Sequence, residues 1–225
     1  LYLSLDGPPD SHDRIRGRAG SFERAFRGLE TLLARSPRPA ASVFCVVTPW
    51  NAGRLAELVS LFAPLPLAGL GFMHANFTTA EMAEAHNAEH GGRYPATTSN
   101  LGPLDPAEYD LPALAAEIAR VRATPAPFRV SFSPGIDSLD GLRRFYLEPG
   151  IPWGSLCNDA ARSIMVKSDG RVIPAHGRCY DVTVGNLRSS SLSEVWNSPE
   201  MAAFRRTLVR AGGLLPACTR CCSAF

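Results

Sequence analysis

The chain has no surplus of charge of either sign. Its 23 Lys and Arg stand against 21 Asp and Glu, a formal net charge of +2. Composition therefore builds no one-sign field of the kind that draws a protein to nucleic acid or to an anionic membrane surface. Long apolar runs are missing as well. No stretch approaches the length of about 18 residues that a membrane helix needs, and no basic segment followed by an apolar one opens the sequence. Neither nucleic acid nor membrane is an expected partner. Cysteine is scarce, six in 225 residues, far below the density of secreted disulfide scaffolds, and a chain this long does not depend on such staples. The few cysteines are not scattered, because Cys157, Cys179, Cys218, Cys221 and Cys222 all fall in the last third. That clustering favours a reducing compartment, the cytoplasm, and thiolates spent on metal.

The length corresponds to between one and two domains at about 150 residues each. Leu1 to Leu5 already has the character of a strand although the first residue is not Met, so an upstream part of the protein is expected. The turn signal Asp6-Gly7-Pro8-Pro9 follows, and Ser21 then opens a helix with Phe22, Ala25, Phe26, Leu29, Leu32 and Leu33 on one stripe. Ser42 to Thr48 is a continuous β-branched run of the type buried on both faces, with Cys45 in its core. A helix from about 52 to 62, a strand from 67 to 73, helices over 78–90 and from Asp110, and a strand over 128–132 continue the alternation. Strand and helix in turn predict parallel βαβ units, whose ligands sit at the carboxy-terminal ends of the strands. Ser4, Asp6, Thr48, Asn51, His74 and Asn76 occupy those ends. Composition changes after about residue 137, and we place the domain boundary at 145/146. His86 and His90 could share a helix face, but no Glu follows His86 as a zinc-protease pattern requires.

In the tail, Asp169-Gly170 lies between two strand-like stretches, the dipeptide of a two-residue hairpin turn. Pairing Ser168 with Arg171 brings Cys157 and Cys179 out together at the open end of that hairpin. Ser191-Leu192-Ser193-Glu194 fits a capping box, Ser198-Pro199-Glu200 starts a further helix, and Cys218-x-x-Cys221-Cys222 closes the chain. Two thiolates two residues apart can address one metal centre, and four suit either tetrahedral zinc or a [4Fe–4S] cluster. Thiolate softness does not separate the two.

Two stretches resemble a known family. Ser4-Leu5-Asp6-Gly7-Pro8, His12-Asp13-Arg14-Ile15-Arg16-Gly17 and Gly20-Ser21-Phe22-Glu23 resemble the fourth strand and following loop of radical SAM enzymes of the SPASM group. Cys157, the stretch Ser168-Asp169-Gly170-Arg171-Val172-Ile173-Pro174, Gly185-Asn186, Ser191 to Asn197 and the terminal Cys218-x-x-Cys221 resemble the SPASM/Twitch auxiliary-cluster domain. The resemblance implies an α/β fold: the carboxy-terminal half of a partial (β/α)6 TIM-like barrel over residues 1–145, then a small Cys-rich domain with a β-hairpin and helices over 146–225. It implies reductive cleavage of S-adenosylmethionine at a [4Fe–4S] cluster and radical modification, of a peptide or protein or of a small molecule, with an external electron donor. Ser4 and Arg16 become candidate contacts to S-adenosylmethionine, and Asn51, by its strand-end position, either caps the helix that follows or is a third cofactor contact. Cys157, Cys179, Cys218 and Cys221 become candidate ligands of one auxiliary [4Fe–4S] cluster, with Cys222 as the alternate.

The departures are specific. The family's Cys-x3-Cys-x2-Cys signature is absent, so this chain alone does not carry the radical-generating cluster. Where the family places a Cys five residues after the hairpin Gly stands Ala175, with Cys179 as the nearest thiol and His176 as another possible ligand. The competing expectation is a non-catalytic scaffold or binding module whose tail thiolates hold zinc or an iron–sulfur cluster.

Overall fold

The computed structural model describes residues 1–99, 105–175 and 182–224. In chain order the elements are β1 (Tyr2–Ser4), α1 (Pro9–Arg16), α2 (Ser21–Leu33), β2 (Ser42–Val47), α3 (Leu55–Phe62), β3 (Gly69–His74), α4 (Ala80–His90), α5 (Leu111–Ala123), β4 (Arg129–Ser133) and α6 (Leu139–Leu147). There follow α7 (Asp159–Arg162), β5 (Met165–Val166), β6 (Arg171–Ile173), β7 (Gly185–Asn186), α8 (Leu192–Trp196) and α9 (Pro199–Arg210). Two compact units divide the chain: Leu1–Ala75 with Leu104–Tyr146, and Asn76–Pro103 with Leu147–Phe225. The chain thus passes into the second unit after β3, returns, and leaves again after α6.

The first unit is an α/β layer. β1, β2, β3 and β4 form a parallel sheet in that order, with Ser4 beside Phe44, Phe44 beside Gly71 and Gly71 beside Ser131. Leu5, Val43, Cys45, Val47, Leu70, Phe72 and His74 are buried on one face. Phe22, Leu29 and Leu33 of α2 and Leu55, Leu58, Val59 and Phe62 of α3 are buried with them. Each large apolar side chain so enclosed contributes about 1.5–3 kcal/mol. The opposite face is open: Ser42, Phe44, Val46 and Met73 are half-buried, and Tyr2, Ser4, Arg129, Ser131 and Ser133 are exposed. The expectation that β2 is buried on both faces is corrected here. Its burial alternates strictly, and the run looks two-sided in sequence only because Phe44 and Val46 are apolar residues on the open side.

A buried polar chain crosses the helix-covered face. His74 Nδ1 lies 2.8 Å from the Tyr146 hydroxyl, and the backbone N–H of Ala75 donates to that hydroxyl too. The rings of Tyr146 and Tyr109 stack at 4.2 Å, and Tyr109 donates to the Val47 carbonyl at 2.9 Å. Three such groups would be costly in an apolar layer without these mutual bonds. His74, expected at a strand end facing substrate or water, is only 3% exposed.

The second unit joins α4 to the small antiparallel sheet β5-β6-β7 and to α7, α8 and α9. The capping box at Ser191 is present, with Ser191 N donating to Glu194 at 2.7 Å. The hairpin register differs from the expected one by a residue. Met165 pairs with Ile173 and Val166 with Val172, and Lys167 N donates to the Arg171 carbonyl. The loop therefore holds three residues, with Gly170 alone at positive φ, +85°. The cause is Asp169, whose carboxylate accepts from Arg171 N at 3.1 Å and Arg171 Nε at 2.6 Å, locking a wider turn than Asp-Gly usually makes. α7 also interrupts the stretch between Cys157 and β5, so the ladder does not reach Cys157. Among the described residues, no helix is long and apolar enough to cross a membrane.

Candidate metal centre and strand-end loops

At the carboxy-terminal ends of β1 and β2, one carboxylate organises the loops. Asp6 is 4% exposed; it accepts from Val46 N at 3.2 Å and pairs with Arg16 at 2.6 Å, while its own N–H donates to His12 Nδ1 at 3.0 Å. Burial lowers the pKa of His12, which keeps the ring neutral and able to accept. Asn51 is fully buried: its Oδ1 accepts from Thr48 N at 2.7 Å, and its Nδ2 donates to the carbonyls of Val46 at 2.7 Å and Asp6 at 2.9 Å. The amide is saturated by backbone and ties the β1 loop to the β2 loop. Arg16 differs. One side of its guanidinium is held by Asp6, and its side chain remains 44% exposed. Ser4 is exposed on the open face of the sheet. Asp13, passed over by sequence reasoning, collects Ser21 Oγ and the N–H groups of Gly20 and Phe22, and so fixes the entry to α2.

In the second unit Cys157 and Cys218 lie in one buried cluster with Tyr94, Phe204, Leu208 and Leu215, and Cys221 packs against it. Ala175 and Val182, the residues on either side of the segment that carries His176 and Cys179, belong to the same cluster. Cys179 and His176 themselves lie outside the described residues. Local backbone explains how the thiols are held. Cys157 N donates to the Gly213 carbonyl at 3.0 Å, an approach that Gly213 permits at φ +107°, since a Cβ there would lie 2.3 Å from the Ser155 carbonyl oxygen. Burial pushes the Cys157 thiol up, while N–H donors from Ala160 and Asp159 to its sulfur act the other way. A hydrogen bond to Cys222, with burial second, holds the Cys221 thiol well above its ordinary range. Among the described residues, no three or more His, Cys, Asp and Glu side chains converge closely enough to hold a metal ion.

Two further residues shape this tail, Arg220, which the sequence did not single out, and Asn76. Arg220, fully buried between Cys218 and Cys221, donates to the carbonyls of Ile151 at 2.7 Å, Glu148 at 2.7 Å and Thr219 at 2.9 Å. It thereby ties the Cys218-x-x-Cys221 turn to the segment after α6. Asn76, expected at a substrate-facing strand end, instead donates its amide to Cys222 Sγ at 3.3 Å. His86 places Nε2 2.6 Å from the Tyr94 carbonyl and packs edge-on to His90, which accounts for that pair without a metal.

Comparison with known families decides the character of the tail. Residues 157–222 match SPASM, an iron–sulfur cluster-binding domain. Over that segment the chain is similar to a SPASM-type domain. Its first and last matched residues are Cys157 and Cys222, so the SPASM segment contains all five tail thiols. The tail part of the resemblance read from the sequence is met by this match, and the α/β layer with its parallel four-stranded sheet has likenesses among solved structures. The crystal structure of Streptococcus suis SuiB superposes with a TM-score of 0.55 at 14% identity, over 97% of this chain and 49% of SuiB. SuiB bound to S-adenosylmethionine gives 0.55 at 14% identity, over 97% and 48%. SuiB bound to the precursor peptide SuiA gives 0.52 at 16%, over 97% and 48%. At these identities the likeness is one of fold, and the chain spans about half the length of SuiB. No curated protein matches the chain.

The donor chemistry fits an iron–sulfur cluster. Soft sulfur donors, Cys157 and Cys218, sit within an apolar, buried cluster with Cys221 packed against it, and backbone N–H groups point at the sulfurs of Cys157 and Cys221.

Proposed function

We propose that the chain is part of a radical SAM/SPASM enzyme that modifies a peptide, with residues 1–145 forming the carboxy-terminal half of a partial (β/α)6 barrel and residues 146–225 the auxiliary iron–sulfur domain. The observation that carries this reading is that Cys157 and Cys218 of the SPASM segment share one buried apolar cluster with Cys221 packed against it, and that Ala175 and Val182, on either side of the segment carrying Cys179, meet the same cluster. SuiB binds S-adenosylmethionine and a precursor peptide, which supports the same cofactor and substrate class for this chain.

Cys157, Cys179 and Cys218, with one thiol of the Cys221–Cys222 pair, would hold one auxiliary [4Fe–4S] cluster. When bound, the cluster would supply a one-electron site. The N–H groups of Ala160 and Asp159 favour the anionic form of the Cys157 sulfur, which a ligand must adopt. Arg220 holds the Cys218-x-x-Cys221 turn in place. In the first unit, Arg16 is the candidate for the carboxylate of S-adenosylmethionine. Asp6 fixes one edge of its guanidinium, and the exposed edge remains able to make a paired contact. Ser4 contributes a hydroxyl on the open sheet face. Asn51, whose amide is spent on backbone, acts on the site by holding the Asp6 and Thr48 loops together. An external donor supplies the electrons, in the reducing cytoplasm.

Anaerobic reconstitution of the full chain with ferrous iron and sulfide tests the reading. A brown protein with broad visible absorbance, lost in Cys157→Ala, is the expected result. A colourless protein that instead takes one equivalent of zinc would establish the scaffold alternative and remove the enzyme proposal.

A further inference from the structure

Asn76 stands where β3 hands the chain to the second unit, next in sequence to Ala75, whose N–H is fixed on Tyr146. The Asn76 side-chain amide reaches Cys222 Sγ at 3.3 Å across 146 residues of sequence. An amide NH2 can only donate, so the Cys222 sulfur is the acceptor. Sulfur is a weak acceptor as a neutral thiol and a far better one as a thiolate or a metal-bound thiolate. Cys221 next to it is already engaged with Cys222 through a second sulfur hydrogen bond. Cys222 is thus the sulfur of the terminal pair that receives a dedicated side-chain donor, and it is half-buried rather than turned to solvent.

We propose that Asn76 is an outer-sphere residue of the metal centre: its amide orients and polarises the Cys222 sulfur, so that Cys222 rather than Cys221 delivers the second thiolate of the Cys218-x-x-Cys-Cys tail. The inference rests on the iron–sulfur reading above. Hydrogen bonds to ligating sulfur are one of the protein's means of setting cluster potential, because they stabilise the more negative, reduced state. Asn76 is a positioning residue, acting through the sulfur and not on substrate.

The test uses the full chain reconstituted anaerobically with ferrous iron and sulfide. Asn76→Leu keeps the size, stays neutral and removes the donor, and Asn76→Ala serves as a second variant of smaller volume. Iron and sulfide content and the midpoint potential, followed by electron paramagnetic resonance, are the readouts. The expected outcome is wild-type iron content with a midpoint shifted to more negative potential in both Asn76 variants. Cys222→Ser should lose cluster iron while Cys221→Ser retains it, and adding Asn76→Leu to Cys221→Ser should reproduce the negative shift. An unchanged midpoint at equal iron content overturns the role of Asn76. Loss of iron in Cys221→Ser with retention in Cys222→Ser overturns the ligand assignment. If the wild-type chain binds no iron at all, the iron–sulfur reading fails first and this inference with it, a result distinguishable from either.

Discussion

His74 shows how far a single buried side chain can couple this fold to pH. Burial lowers its pKa from 6.5 to about 4, and its surroundings are Tyr146, Phe145 and Phe132, with Tyr109 behind Tyr146. None of these is charged near neutrality, since burial also pushes both tyrosine hydroxyls upward. A histidine whose folded pKa is depressed takes up its proton first in the unfolded chain. Its contribution is therefore complete above pH 6.5 and is lost as pH falls from 6.5 toward 4. The shift corresponds to about 3 kcal/mol at the acid end. We expect the urea midpoint, followed by the near-ultraviolet signal of the Tyr109–Tyr146 pair, to fall steeply across this window. In His74→Phe the dependence should be shallower. Equal slopes in the two proteins would show that His74 is not the titrating group.

At the scale of elements, sequence pattern and structure part company at identifiable places. α2, α5 and α9 were legible because apolar stripes begin after clear stop or cap residues. Asp110 accepts from Ala113 N at 3.0 Å, and Ser198 accepts from Met201 N at 3.2 Å. α1 was not legible, because Pro8-Pro9 reads as a turn whereas Pro9 takes the first helical position, where a missing N–H costs nothing. The hairpin slipped by one residue because the Asp169 side chain competes for the turn. In the tail, thiol spacing and the capping box were visible in sequence, but what holds that tail was not: Asn76 donates to Cys222, and Arg220 ties the Cys218-x-x-Cys221 turn to the carbonyls of Glu148 and Ile151, over long separations that no local pattern records. Gly213 belongs with these. Just past α9, it lets its carbonyl receive Cys157 N. Gly213→Ala would place a methyl group against the Ser155 carbonyl at a positive φ. We expect it to destabilise the second unit by about 2 kcal/mol and to increase exchange of the Cys157 amide. Wild-type protection of that amide would show that the turn tolerates a side chain.

For the whole molecule, the division into two units would make the proposed metal binding a local source of stability. The first unit has a continuous apolar layer under a four-stranded sheet and needs no further crosslink. The second is built on short strands of two or three residues, with Val172, Val184, Val195 and Met201 in one small core and the Cys157–Cys218 cluster as another. A core this subdivided gains more from a ligand that binds only the folded state, by the mass-action term that grows with ligand over dissociation constant. Chelation of the reconstituted protein should therefore raise hydrogen exchange in α9 and β6 by at least about tenfold, the factor that 1.4 kcal/mol of lost stability produces. Amides of β2 and β3 should keep their protection. Uniform loss of protection across both units would mean that the metal stabilises the chain as one cooperative body. No change in either would mean that the thiols bind metal without contributing to the fold.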